Sequence, residues 1–85
     1  MFEVLISKKA IKQLTDIPVG DRKKIGEFLS ALAAYPQIRH LGTKKLQNQL
    51  SYRGRVGNYR VIFEVDGNTR RLLVTRILDR KEVYR

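Results

Sequence analysis

At 85 residues the chain has room for one hydrophobic core, so the expectation is a single domain spanning residues 1–85. Eighteen Lys and Arg against eight Asp and Glu leave a formal net charge of +10, which points to an anionic partner such as RNA, DNA or an acidic protein. With no cysteine and one histidine, disulfide frameworks, thiolate zinc sites and two-histidine ribonuclease chemistry are excluded.

Residues 2–6, Phe-Glu-Val-Leu-Ile, are rich in aromatic and β-branched types and predict a strand. This opening is too short for a signal-peptide core and carries Glu3 inside it. No apolar run approaches the ~20 residues of a membrane helix. The expected location is the cytoplasm, away from membranes. Ser7 suits an N-cap, and Ala10, Ile11, Leu14 and Ile17 form the apolar stripe of a short helix. Pro18 closes that helix or opens the next. The second helix is predicted from about Val19 to Ala34, with Ile25, Phe28, Leu29 and Leu32 as its stripe and Pro36 beyond its end. Residues 36–49 read as a polar, basic connection containing His40, Gly42, Lys44 and Lys45.

From Leu50 the hydrophobic period changes to two, and strands are predicted at about 50–56, 59–66 and 69–78. Gly57-Asn58 and Asp66-Gly67-Asn68 separate them and supply turn residues that tolerate positive φ. The order is β-α-α-β-β-β, an α+β fold with a helical hairpin packed on a mostly antiparallel sheet.

A two-residue turn at Gly57-Asn58 sets Val56 against Tyr59, Arg55 against Arg60, Gly54 against Val61 and Arg53 against Ile62. Leu50, Tyr52, Val56, Tyr59, Val61, Phe63 and Val65 then share an apolar face that packs under the helices. With Gly67-Asn68 central to the second turn, Phe63 faces Leu72, Val61 faces Val74, and Glu64 meets Arg71. The same alternation sends Arg53, Arg55 and Arg60 to the other face together. Like charges directly opposite on neighbouring strands repel. Either the three are solvated and splay apart, or they form a site that awaits an anion. Guanidinium forks match phosphate oxygens, and a sheet face carrying them suits single-stranded RNA. Lys44, Lys45 and Arg76 join Arg53 and Arg55 as candidate RNA-binding residues. In the closing run Asp79-Arg80-Lys81-Glu82-Val83-Tyr84-Arg85, Tyr84 carries the one hydroxyl able to act as acid or base.

The block Tyr52-Arg53-Gly54-Arg55-Val56-Gly57-Asn58-Tyr59-Arg60-Val61-Ile62-Phe63-Glu64-Val65 resembles the central hairpin of the RelE/ParE toxin superfamily. The tail Arg80-Lys81-Glu82-Val83-Tyr84 is similar to that family's ending, and Ser7-Lys8-Lys9-Ala10-Ile11-Lys12-Gln13-Leu14 to the opening of its first helix. The resemblance implies the RelE-like fold and a toxin that cleaves messenger RNA on the ribosome, with the RNA 2′-hydroxyl as nucleophile and no metal or cofactor. Its basic pair falls on Arg53 and Arg55, the Gly-x-Tyr-Arg arginine on Arg60, and the late arginine and final tyrosine on Arg80 and Tyr84. It also implies a small, acidic, helical antitoxin that folds on binding, blocks the toxin, and brings it to operator DNA.

Three positions depart from the family pattern. Arginine stands at a first basic position that is often lysine, Gly54 where a branched apolar residue is common, and Asp79 where His or Lys often precedes the late arginine. In the implied chemistry Arg53, Arg60 and Arg80 stabilise charge at the phosphorane, Tyr84 takes the 2′-hydroxyl proton, and Arg80 or Arg55 lies near the leaving oxygen. The competing readings are a ParE-like inhibitor of DNA gyrase and a non-catalytic basic RNA-binding domain.

Overall fold

The computed structural model describes residues 2–34, 43–45 and 51–79. Strand β1 (Glu3–Ile6) leads into helices α1 (Lys8–Thr15) and α2 (Val19–Ala31), and a 3₁₀ turn follows at Leu32–Ala34. Strands β2 (Thr43–Lys45), β3 (Ser51–Val56), β4 (Tyr59–Asp66) and β5 (Arg71–Asp79) complete one sheet in the order β1-β5-β4-β3-β2. Strand β1 runs parallel to β5, and all other pairs are antiparallel. The α+β fold with two helices on a mostly antiparallel sheet is the one expected. Among the described residues no helix is long and apolar enough to cross a membrane.

Ser7 has the extended backbone of an N-cap, and its Oγ accepts the Ala10 amide at 3.1 Å. The short helix that follows turns Ala10 inward, with Leu14 packed on the core behind it. Ile11 lies one residue, about 100°, further round the helix and is 48% exposed, so it is not part of the buried stripe. Pro18 opens α2, its carbonyl accepting the Arg22 amide at 2.9 Å, while the Asp16 amide closes α1 on the Gln13 carbonyl. The whole predicted stripe of Ile25, Phe28, Leu29 and Leu32 is buried. Side chains of these types contribute about 1.5–3 kcal/mol each when fully removed from water, which outweighs the two glycines within α2.

The sheet supplies Val61, Phe63, Leu72, Val74 and Ile77 to this core, with Tyr52, Val56, Tyr59 and Val65 packed at its margin. Tyr52 and Phe63, directly opposite each other, stack with ring centroids 5.6 Å apart. The β3–β4 register is the one derived from the Gly57-Asn58 turn, and Gly57 takes φ 58° there. Leu50, the first residue of the expected face, lies outside the described residues.

Two expectations are corrected. Part of the presumed connection at residues 36–49 is a strand, since β2 pairs with β3, placing Lys44 opposite Arg53 and Lys45 opposite Tyr52. A three-residue strand of Thr and Lys carries no hydrophobic alternation and exists because β3 offers it an edge.

The second hairpin is also registered differently. Phe63 faces Val74, Val61 faces Ile77, and Glu64 faces Leu73 rather than Arg71. The turn spans four residues, Gly67 to Arg70, because the Asp66 carboxylate accepts both the Asn68 amide (3.0 Å) and the Thr69 amide (3.3 Å). Arg70 takes φ 55° to close it, and Arg71 pairs with Glu3 at 3.2 Å on the exposed edge.

Further along, a bulge leaves Thr75 as an extra residue, with Ile62 opposite Arg76 and Phe63 opposite Val74. Strict alternation would turn Arg76 inward beside Leu72 and Val74. The extra residue restores Ile77 to the core and sends Arg76 outward.

Candidate functional site

The sheet face turned from the helices carries Arg53 and Arg55 on β3, Arg60, Ile62 and Glu64 on β4, and Arg76 and Leu78 on β5. The register arranges them in two rows across the strands. One row runs Arg55–Arg60–Leu78, the other Arg53–Ile62–Arg76. Arg55 and Arg76 are exposed, and Arg53 is half-buried.

Arg60 departs from the first of the two alternatives, solvated arginines that splay apart. It is only 1% exposed, and its Nη1 donates to the carbonyls of Tyr59 (3.0 Å) and Gly57 (3.5 Å). The guanidinium thus folds back on the turn that its own strand leaves. Carbonyl dipoles offset part of the cost of burying a cation. Among the described residues its Nε finds no acceptor, so one donor on a desolvated charge is unpaired there. Such an atom costs about 1–3 kcal/mol, and more on a charged group.

Helix α1 braces Arg76 from both sides. Ser7 Oγ donates to the carbonyl of Thr75 at 3.0 Å, and Gln13 Oε1 accepts the Ile77 amide at 2.8 Å. Thr75 Oγ1 donates to the Ile62 carbonyl across the bulge at 3.2 Å. These side chains satisfy backbone groups that a bulge beyond the end of β1 leaves without a neighbouring strand.

The departures from the family pattern acquire physical reasons. Gly54 lies beneath the Phe28 ring, where a Cβ would approach Phe28 Cε1 to 2.8 Å and Cε2 to 3.0 Å. Phe28 therefore fills the volume that a branched residue on β3 would take. Asp79 faces Tyr59 on the helix side of the sheet, so its charge stands off the arginine face. With Gln13, Asp16, Ile17 and Ile77 the pair lines a depression of about 240 Å³. Burial, with the carboxylates of Asp21 and Asp79, raises the Tyr59 phenol above its ordinary pKa and keeps it protonated. Neither Tyr52 nor Tyr59 reaches the arginine face. Arg80 and Tyr84 lie outside the described residues.

The outward placement of Arg76 and Leu78 could not come from the expected register, whereas that of Ile62 follows from its predicted pairing with Arg53. One signal was available: in Leu72-Leu73-Val74-Thr75-Arg76-Ile77-Leu78 the inward apolar positions change phase between Val74 and Ile77. A bulge is the usual reason for such a change.

The family profile described as ParE toxin of type II toxin-antitoxin system, parDE, matches residues 4–84. Toxin RelE3 of Methanocaldococcus jannaschii is 34% identical over 85 residues, covering 96% of this chain and 94% of the relative. Among solved structures, the archaeal RelE–RelB complex from Pyrococcus horikoshii OT3 superposes with a TM-score of 0.82 at 26% identity, covering 93% of this chain and 94% of that one. The RelB–RelE antitoxin–toxin complex from Methanococcus jannaschii gives 0.78 at 32% identity, with 94% of each chain covered. Profile, sequence and superposition agree over nearly the whole length, and the chain belongs to the RelE/ParE superfamily as a RelE-type toxin of type II toxin–antitoxin systems.

Proposed function

We propose that this toxin is a metal-independent endoribonuclease that cleaves messenger RNA in the translating ribosome and so arrests translation in the cytoplasm. The observation that supports this most is Arg60: a desolvated guanidinium with an unpaired Nε, directly opposite Arg55 and one row from Arg53 and Arg76. Packing and self-repulsion both oppose such a cluster, and a phosphodiester would relieve both. In this reading Lys44, opposite Arg53 in register, and Lys45, its neighbour on β2, complete the RNA-binding set.

In this reading Arg53, Arg55 and Arg60 hold the scissile phosphate and oppose charge at the phosphorane. Tyr84 removes the 2′-hydroxyl proton, and Arg80 or Arg55 stabilises the departing 5′-oxygen. The five residues from Asp79 to Tyr84 span at most about 17 Å, enough to bring the phenol back to Arg60 beside Leu78. A cognate antitoxin of acidic, helical character holds the toxin inactive and brings it to operator DNA, a partner supported by the RelE–RelB complexes of its relatives.

The test is transcript-end mapping in a translating extract. Wild type cuts message, and Tyr84→Phe and Arg55→Ala each slow cutting by about 10²-fold or more. Unchanged cutting by both variants refutes the site. Loss of gyrase supercoiling without RNA fragments would instead favour the gyrase-poison reading that the ParE profile raises.

A further inference from the structure

The apolar centre of the arginine face has no part in the chemistry above. Ile62 is half-buried on the side away from the helices, so it does not serve the core. Arg53 stands on one side of it in register and Arg76 on the other, while Leu78 lies diagonally across beside Arg60. The apolar floor is thus walled by guanidinium groups, one row from Arg55 and Arg60.

We infer that Ile62, between Arg53 and Arg76, seats a nucleobase of single-stranded RNA next to the phosphate held by Arg55 and Arg60. The inference rests on the RNA reading of this face and adds to it a base-contacting residue. The chemistry suits that occupant. A base offers an apolar π-face to Ile62, and its edge acceptors, ring nitrogens and carbonyl oxygens, meet the guanidinium donors on either side. An aliphatic partner side chain would leave those cations without a complementary charge. The two rows are two residues apart along each strand, about 6.6 Å, comparable with one step of an extended ribonucleotide chain.

Ile62 itself has no donor or acceptor, so its own contact distinguishes bases by area. Purines cover more of the floor than pyrimidines and bind better. The bulge at Thr75 is what makes the seat, because without it Arg76 points into the core.

The experiment measures binding of fluorescent adenine and uracil homo-oligoribonucleotides to the full chain at several salt concentrations. Ile62→Thr keeps the β-branched shape and weakens adenine-oligomer binding about fivefold, with a smaller loss for uracil. Ile62→Phe strengthens binding, a gain that damaged folding does not produce. Neither changes the salt slope, because no phosphate contact is altered, whereas Arg55→Ala lowers it by about 0.7. If both Ile62 variants bind like wild type while Arg55→Ala and Arg76→Gln weaken binding, the base seat falls and the RNA reading stands. If neither arginine change matters, the RNA reading falls as well. Loss of a copurifying antitoxin from Ile62→Phe with unchanged RNA affinity makes the patch a protein interface and overturns the seat.

Discussion

Gly54 is the position where fold and site meet most tightly. It occupies the middle of β3 between Arg53 and Arg55, and the Phe28 ring lies over it. A Cβ built there comes within 2.8 Å of Phe28 Cε1, so Gly54→Ala forces the ring or the strand to move. Phe28 is 8% exposed and bounded by other core residues, which leaves little room for the ring to yield. Overpacking of this kind costs about 1–3 kcal/mol. Removing glycine from a strand returns about 0.5–1 kcal/mol of backbone entropy, so the net loss is at most about 2.5 kcal/mol. For a chain of this length that lowers the melting temperature by up to roughly 20 °C. A second change isolates the cause. Phe28→Leu shortens the ring, and in that background Gly54→Val should be tolerated, with a favourable coupling of about 1 kcal/mol or more in a double-mutant cycle read by urea denaturation. Equal destabilisation by Gly54→Val in the two backgrounds would refute the claim that ring and glycine share one volume.

Three further outcomes are expected. Arg60→Met removes a buried cation with an unsatisfied donor, so the variant should melt no lower than wild type yet lose RNA cleavage; a fall of several degrees would show that the guanidinium is chiefly structural. Gln13→Leu leaves the Ile77 amide without its acceptor and should cost about 1–3 kcal/mol, with faster hydrogen exchange at that amide; unchanged exchange would show that the bond is not formed in solution. The Thr69 backbone amide, then the Thr69 side chain and the Asn68 amide, hold the Asp66 carboxyl below its ordinary pKa. That carboxylate's contribution is present above the unfolded-state pKa near 3.8 and is lost as pH falls through the lower folded value. Asp66→Asn should flatten the acid limb of the stability curve, as followed by fluorescence, and an unaltered limb would exclude this origin.

Much of this molecule was legible from local pattern. The Ser7 cap, the α2 stripe and the β3–β4 register each depend on residues near one another in the chain, where spacing translates directly into geometry. The family was legible too, since the hairpin block and the tail carry its motifs. The second hairpin was misread because Gly67-Asn68 resembles a two-residue turn, while Asp66 captures two amides and lengthens the loop.

Composition, alternation and turn residues therefore determined the fold class, the apolar face, and the gathering of Arg53, Arg55 and Arg60 on the opposite side. Tertiary structure alone decided that β3 would recruit β2, that Arg60 would be buried against its own turn, and that Arg76 would point outward. The reason is that those outcomes depend on which backbone groups lack a partner once the elements are assembled. Ser7 and Gln13 satisfy such groups at Thr75 and Ile77, more than sixty residues away in the chain, at a distance that no local period records.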